Sequence, residues 1–227
     1  MTNVFIISAP SGSGKSTLVE KLRKQVPNLE FSISYTTRAP RGAEQNGCEY
    51  FFVSQEQFRE MIRKNEFLEY ARVFEVEYYG TASWFLRKAE EHGNDLLLDI
   101  DVQGAAQIRE KIPDAVSIFI LPPNRGELEK RLRERGQNRE DDIQRRLDDA
   151  RREIENYEKY DYILVNDQLD ESVEGLNAIV LSERLRRNGQ EDPGLSARAE
   201  MYRLENIRER VQPILQSFRE VAASGGK

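Results

Sequence analysis

The sequence predicts an α/β fold built on a parallel sheet, with a small mixed subdomain inserted into it. Three observations lead there. Short apolar runs with strand character alternate with helical patterns. The first of these runs passes directly into a glycine-bearing loop and then a helix. One aromatic-rich stretch breaks the alternation. Asn3 to Ser8 reads as a buried strand, rich in β-branched residues and closed by a Gly/Pro/Ser cluster. From Lys15 to Gln25, Leu18, Val19 and Leu22 recur at helical spacing, and Pro27 ends the element. Leu96 to Ile100, Val116 to Leu121 and Tyr162 to Val165 are the further buried-strand candidates. Helical patterns over Val102 to Lys111, Gly126 to Arg135 and Asp141 to Tyr157 lie between them.

The stretch from about Phe31 to Thr81 is rich in aromatics and threonine, with Tyr50-Phe51-Phe52-Val53 and Tyr78-Tyr79 as strand candidates and one helix, Gln55 to Lys64. It reads as an insertion between the first and second core strands. Arg187 to Ser196, with Asn188, Gly189, Asp192, Pro193 and Gly194, reads as a linker. Beyond it Leu204, Ile207, Val211, Leu215 and Phe218 share one helical face, with Pro213 marking a bend. The expected organisation is a domain over residues 1–187 (core 1–33 and 82–187, insert 34–81), followed by a helical extension over 188–227.

Composition narrows the function classes. The 227 residues carry 34 Lys and Arg against 40 Asp and Glu, a formal charge of -6, whereas binders of long nucleic acids show a basic balance. Apolar runs such as Val4 to Ile7 and Leu96 to Leu98 fall far below the ~20 residues of a membrane span. Met1-Thr2-Asn3 brings no basic side chain and no long apolar run follows, so no secretory leader is expected. The single cysteine, Cys48, cannot make an internal disulfide, which fits a reducing compartment. The cytoplasm is the expected location.

The strongest chemical signal is Ala9-Pro10-Ser11-Gly12-Ser13-Gly14-Lys15-Ser16, followed by Thr17, between a strand and a helix. The free N–H groups and positive dipole end of a helix N-terminus attract phosphate oxygens. Gly12 and Gly14 let the backbone wrap closely, Lys15 reaches the β and γ phosphates, and Ser16 can ligate Mg²⁺. Alanine stands at position 9, where the usual pattern has glycine. The segment therefore predicts nucleoside triphosphate binding. Leu96 to Asp101 is an apolar run ending in two acids, Asp99 and Asp101, which strand periodicity would place on one face. Ligands of open α/β sheets sit beyond such strand ends, so these acids are candidates for Mg²⁺ or for hydrogen bonds to a ligand. A third group is Ser34-Tyr35-Thr36-Thr37-Arg38-Ala39-Pro40-Arg41 with Gly47-Cys48-Glu49-Tyr50. Its guanidinium forks suit the terminal oxygens of a phosphate monoester, and Tyr50 can add a hydroxyl.

Taken in order, Ser-Gly-Ser-Gly-Lys-Ser, Ser34-x-x-x-Arg38-x-x-Arg41, Gly47-x-x-Tyr50-x-Phe52, Phe67-Leu68-Glu69, Tyr79-Gly80-Thr81, Leu98-Asp99-Ile100-Asp101-x-Gln103-Gly104 and Val165-Asn166-Asp167 resemble the guanylate kinases, ATP:GMP phosphotransferases. The resemblance runs from Val4 to about Arg187. It implies a P-loop NTPase core, a GMP-binding insert and a helical lid over about residues 125–157. It also implies that Arg38, Arg41, Tyr50 and Tyr79 hold the GMP phosphate, while Ser34, Glu69, Thr81 and Asp101 read the guanine. The chemistry agrees, because a carboxylate such as Glu69 accepts from guanine N1–H and the 2-amino group, donors that adenine lacks.

On the ATP side the resemblance implies the loop from Ala9 to Thr17, Arg131, Arg135 and Arg146 around the phosphates, and Asn166 near the adenine. Lys15, Arg38, Arg135 and Arg146 are the expected catalytic residues. Mg²⁺ would come with ATP, on Ser16 and, through water, Asp99. Between Glu69 and Tyr79 the chain is one residue longer than the family pattern, so either Tyr78 or Tyr79 meets the phosphate; Gly80-Thr81 after it favours Tyr79. The expected partners are ATP and GMP, with no nucleic-acid polymer and no membrane. The chain is expected to be a monomer or homo-oligomer, the C-terminal helix docking on its own domain or forming a dimer contact. The alternative is a catalytically inactive guanylate-kinase-like binding module.

Overall fold

The computed structural model describes residues 2–73, 77–134 and 140–224. The chain forms two compact units, one of Met1–Ile6 with Asn28–Val116, the other of Ile7–Pro27 with Ser117–Lys227. Strand β1 (Val4–Ser8) contributes to both, and all five of its residues are buried.

In the first unit β2 (Leu29–Phe31) pairs in parallel with β7 (Asp95–Asp99), and β7 lies beside β1. Asp95 ties the chain start down, its Oδ1 accepting from the backbone N–H of Asn3 at 2.9 Å and from its side-chain amide at 2.7 Å. The same unit holds a mixed four-stranded sheet, β4 (Phe51–Phe52), β3 (Tyr35–Thr36), β6 (Glu77–Ala82) and β5 (Phe67–Val73), in that spatial order. Strands β3 and β4 run parallel, while β6 is antiparallel to both β3 and β5. Phe58, on α2 (Gln55–Arg63), stacks against Phe67 and Tyr78, and a Ser54–Gln57 capping box starts that helix. Helix α3 (Trp84–His92) ends on Gly93, whose φ of 65° provides the left-handed stop. Helix α4 (Val102–Lys111) begins at Asp101, whose side chain accepts from the N–H of Gly104 at 2.8 Å.

The second unit carries α1 (Lys15–Gln25), then β8 (Val116–Leu121) and β9 (Tyr162–Val165), which pair in parallel. Helices α5 (Arg125–Glu134) and α6 (Glu140–Ile154) lie between these strands in sequence, and α7 (Leu169–Arg187), α8 (Pro193–Glu200) and α9 (Leu204–Ser224) follow. Helix α9 buries Ile207, Val211, Ile214, Leu215 and Phe218 and packs on α5, α6 and β9, so the C-terminal extension docks on its own unit. The helix runs through Pro213 without interruption.

Several expectations are corrected here. The insert does not lie between the first and second core strands, because Leu29–Phe31 is itself a strand paired to β7 before the insert begins. The expected linker is partly helix: Asp192 caps α8 by accepting from the N–H of Leu195 at 2.9 Å, and Pro193 occupies the first turn, where its missing N–H costs nothing. Asp99 and Asp101 do not share a strand face, since β7 stops at Asp99 and Asp101 is the cap of α4.

Candidate functional site

The second unit contains a phosphate-binding loop of the expected shape. Gly12 and Gly14 have φ of 96° and 89°, values that side chains with a Cβ rarely adopt. Ser13 N–H closes a turn on the carbonyl of Pro10 at 3.1 Å. Gly14 caps α1 without a side-chain bond, leaving the first-turn N–H groups directed at the loop. The loop is supported from behind: a Cβ on Gly12 would come within 2.9 Å of Leu128 and Leu132 of α5. A Cβ on Gly14 would collide with the side-chain amide of Asn166.

That amide donates to the carbonyl of Ser13 at 2.7 Å, and the carbonyl of Asn166 accepts from Arg131 at 3.1 Å. Arg131 also donates to Glu127 at 3.0 Å, which aims it along the helix. Gly12, Gly14, Thr17, Arg131, Glu134, Asn166, Asp167 and Leu169 line a cavity of about 360 Å³. Ala9 and Lys15 are half-buried, Pro10 is buried, and Ser11, Ser16 and Thr17 are exposed along the loop and the first turn of α1. Arg146 is half-buried on α6. Arg135 lies outside the described residues.

The first unit brings the arginine and tyrosine candidates together. Arg38, 8% exposed, donates through Nε to the Tyr79 hydroxyl at 3.1 Å and lies 5.2 Å from the centre of the Tyr50 ring. Tyr50 meets Tyr79 edge-on at 5.8 Å, whereas Tyr78 stacks on Phe58. Burial works against the Arg38 charge, but the bonds from Glu44 and Tyr79 outweigh it and hold the guanidinium charged beyond its ordinary range. Arg41 is exposed, its backbone N–H donating to Glu44 at 2.7 Å.

Glu69 is 3% exposed on β5, opposite Thr81 on β6, at a register shift that makes Leu68 an extra residue. Such bulges re-aim a side chain. Burial, reinforced by the charge of Asp101, pushes the Glu69 carboxyl up to about 7, against the pull of Thr81 and Lys111. Ser34 is half-buried just before β3, its carbonyl accepting from the N–H of Phe51 at 2.9 Å.

The family model for guanylate kinase matches residues 1–183. The chain belongs to the guanylate kinase family. A guanylate kinase of Koribacter versatilis is 58% identical over 224 residues, covering 96% of both chains. One of Photorhabdus laumondii is 50% identical over 189 residues, covering 82% of this chain and 91% of its own. Among solved structures, the crystal structure of guanylate kinase from Anaplasma phagocytophilum superposes with a TM-score of 0.65 at 33% identity, covering 85% of this chain and 88% of that one.

Within this family member, sequence reasoning missed Glu44 and Gln107, and it named Gly104 only as part of a motif, without its place against Glu69. Glu44 holds Arg38 in a two-pronged ion pair. Gln107 of α4 donates to the carbonyl of Tyr70 at 2.7 Å and accepts from its N–H at 3.2 Å. The spacing of Arg38 and Glu44 on one loop is the only sequence signal for the first; nothing local marks the second.

Proposed function

We propose that the protein transfers the γ-phosphoryl group of ATP to GMP, giving ADP and GDP, in the guanine nucleotide economy of the cytoplasm. The observation that carries this reading is Glu69, a deeply buried carboxylate on a bulged strand, in the unit that also holds the Arg38–Tyr79 cluster. A carboxylate so placed suits a base with two adjacent donors, as guanine has at N1 and the 2-amino group. A site built on such bonds rejects analogues lacking the donors by ~10⁴ or more. Thr81, Ser34 and Asp101 complete the base-reading set. Arg38, Arg41, Tyr50 and Tyr79 hold the phosphate of GMP.

The glycine loop of the second unit would bind ATP. Its N–H groups and Lys15 neutralise the β and γ phosphates, Arg131 adds charge from α5, and the cavity beside Asn166 takes the adenosine end. Ser16, in the same unit as the loop, offers a hydroxyl, the kind of hard oxygen donor that Mg²⁺ prefers. Bound there, the ion would draw charge from the phosphate oxygens. A phosphate oxygen of GMP attacks the γ-phosphorus, the bond from that phosphorus to the β–γ bridging oxygen breaks, and ADP leaves with the electron pair. Little covalent chemistry is left for the protein, so positioning and charge neutralisation dominate. Arg135 and Arg146 are the proposed lid arginines.

The inactive-module alternative has no observation in its favour. Measuring ADP release from MgATP with GMP, dGMP, AMP, CMP and UMP offered separately tests the proposal. Fast turnover with GMP and near silence with AMP are expected; equal rates with AMP would sink it.

A further inference from the structure

Helix α4 sits against the exposed edge of the guanine-reading strand, and its hydrogen bonds to that strand fall on either side of Glu69. Strand β5 is an edge of the four-stranded sheet, so among the described residues one side of its backbone lacks a strand partner. Gln107 supplies that partner at Tyr70 with both halves of its amide, accepting at 3.2 Å and donating at 2.7 Å, as a neighbouring strand would. One turn on, Lys111 donates to the carbonyl of Leu68, the bulged residue. The residues on either side of Glu69 are thus both held by α4. One turn before Gln107, a Cβ on Gly104 would lie 2.5 Å from Glu69 Oε2 and 2.9 Å from its carboxyl carbon. Only glycine leaves that carboxylate its place, and the N–H of Gly104 is at the same time tied to Asp101.

We propose that α4 sets the guanine selectivity of this protein: Gln107 is a positioning residue that locks the backbone around Glu69, and the missing side chain of Gly104 gives the carboxylate its seat. The inference deepens the reading that Glu69 accepts from guanine and rests on it. Glu69 itself makes the contact, and α4 determines where its oxygens stand. Misplacing a binding group by ~1 Å can cost about a hundredfold, so partial release of β5 should cost about tenfold.

The test uses the full chain with Gln107→Ala, Gln107→Met, Gly104→Ala and Glu69→Gln, each with GMP and with inosine monophosphate, which lacks the 2-amino group. Gln107→Met keeps the volume and loses both hydrogen bonds. Both Gln107 variants should raise KM for GMP about tenfold with a much smaller fall in kcat, and narrow the preference for GMP over inosine monophosphate several-fold. They should also move the pH dependence of KM towards the ordinary carboxylate range as water reaches Glu69. Gly104→Ala should do the same more severely; if it does not fold, the Gln107 pair decides. Wild-type KM, preference and pH profile in both Gln107 variants, alongside a lost preference in Glu69→Gln, would overturn the role of α4 while leaving Glu69 as the reader. An unchanged preference in Glu69→Gln would remove the reading itself, and the inference with it.

Discussion

Arg38 and Glu44 form a two-pronged ion pair, Nη1 to Oε2 at 2.9 Å and Nη2 to Oε1 at 3.0 Å, with the arginine almost wholly buried. The Glu44 carboxylate is held below its ordinary range, first by the Arg38 bond and then, against its own burial, by the N–H of Arg41. Glu44 supplies the counter-charge of the Arg38 guanidinium, whose other bonds go to the neutral Tyr79 hydroxyl and the Ala39 carbonyl. Glu44→Gln should cost about 1–3 kcal/mol of stability, since a charged group loses its partner. Added GMP should then raise the variant's melting temperature more than the wild type's, its phosphate replacing the missing charge. Thermal melts with and without GMP measure both; an equal GMP shift in the two proteins would contradict this.

Asn166 is the hinge-pin of the phosphate loop, joining Ser13 on one side and Arg131 on the other. Asn166→Ala would leave the Ser13 carbonyl without that donor, a loss of about 1–3 kcal/mol. It would also let the loop relax, so KM for ATP should rise more than KM for GMP. Steady-state kinetics with each substrate varied in turn would show the asymmetry.

Glu69 makes both stability and GMP affinity depend on pH. Its carboxyl ordinarily titrates at 4.5 but is pushed up to about 7 in the fold. The folded protein therefore holds a proton that the unfolded chain releases. The stabilising contribution is full below the unfolded value and is lost as pH rises through the folded one, about 3 kcal/mol across the window. Guanine donors favour the carboxylate, so GMP binding releases a proton. Affinity should climb with pH up to about 7 and level off above it. Asp101 and Lys111, the charged groups facing Glu69, set the remaining offset. Binding titrations over about pH 5.5 to about 8.5 in the wild type and Glu69→Gln check this, the variant losing the part of the slope at about 7 while the second ionisation of the GMP phosphate, at about 6, is common to both.

The C-terminal extension is held through a buried charge. Glu183, 4% exposed on α7, accepts from the Tyr162 hydroxyl and from Arg203 at 2.8 Å, and Arg203 lies over the Tyr162 ring at 4.2 Å. The N–H of Ile163 donates to Tyr202 at 2.8 Å, covering the edge of β9. Ser217 of α9 accepts from the N–H of Arg125 at 3.0 Å and so caps α5 from 92 residues away. Arg203→Ala should cost about 2–4 kcal/mol, and Ser217→Ala about 1 kcal/mol, by chemical denaturation. A loss under about 0.5 kcal/mol for Arg203→Ala would mean the extension is not anchored there.

What the sequence made legible was what short-range chemistry fixes. The phosphate loop shows in eight consecutive residues because its glycines, lysine and serine each answer a local need. Helix α4 matched its expected bounds, Val102 to Lys111, because its amphipathic spacing and cap are local too. Strand β5 was not read, since its pattern is settled by pairing with β6 and by Gln107, 37 residues away from Tyr70. Helix α7 was not read either: Val173, Leu176, Ala178, Ile179 and Val180 are all buried, so it shows no single apolar face. In the site, Glu69 was legible through the resemblance, but the contacts that aim it were not. Asp192-Pro193-Gly194 reads as a linker in the sequence because the same residue types serve as a helix cap and first turn.

The most direct test of the account is to mix MgATP and GMP with the protein and quantify ADP and GDP together over time, with AMP as the parallel acceptor. Direct transfer predicts that ADP and GDP appear one for one, with neither an ATP-hydrolysis excess nor product from AMP. ADP without matching GDP, or no GDP from folded protein that binds GMP, would contradict it.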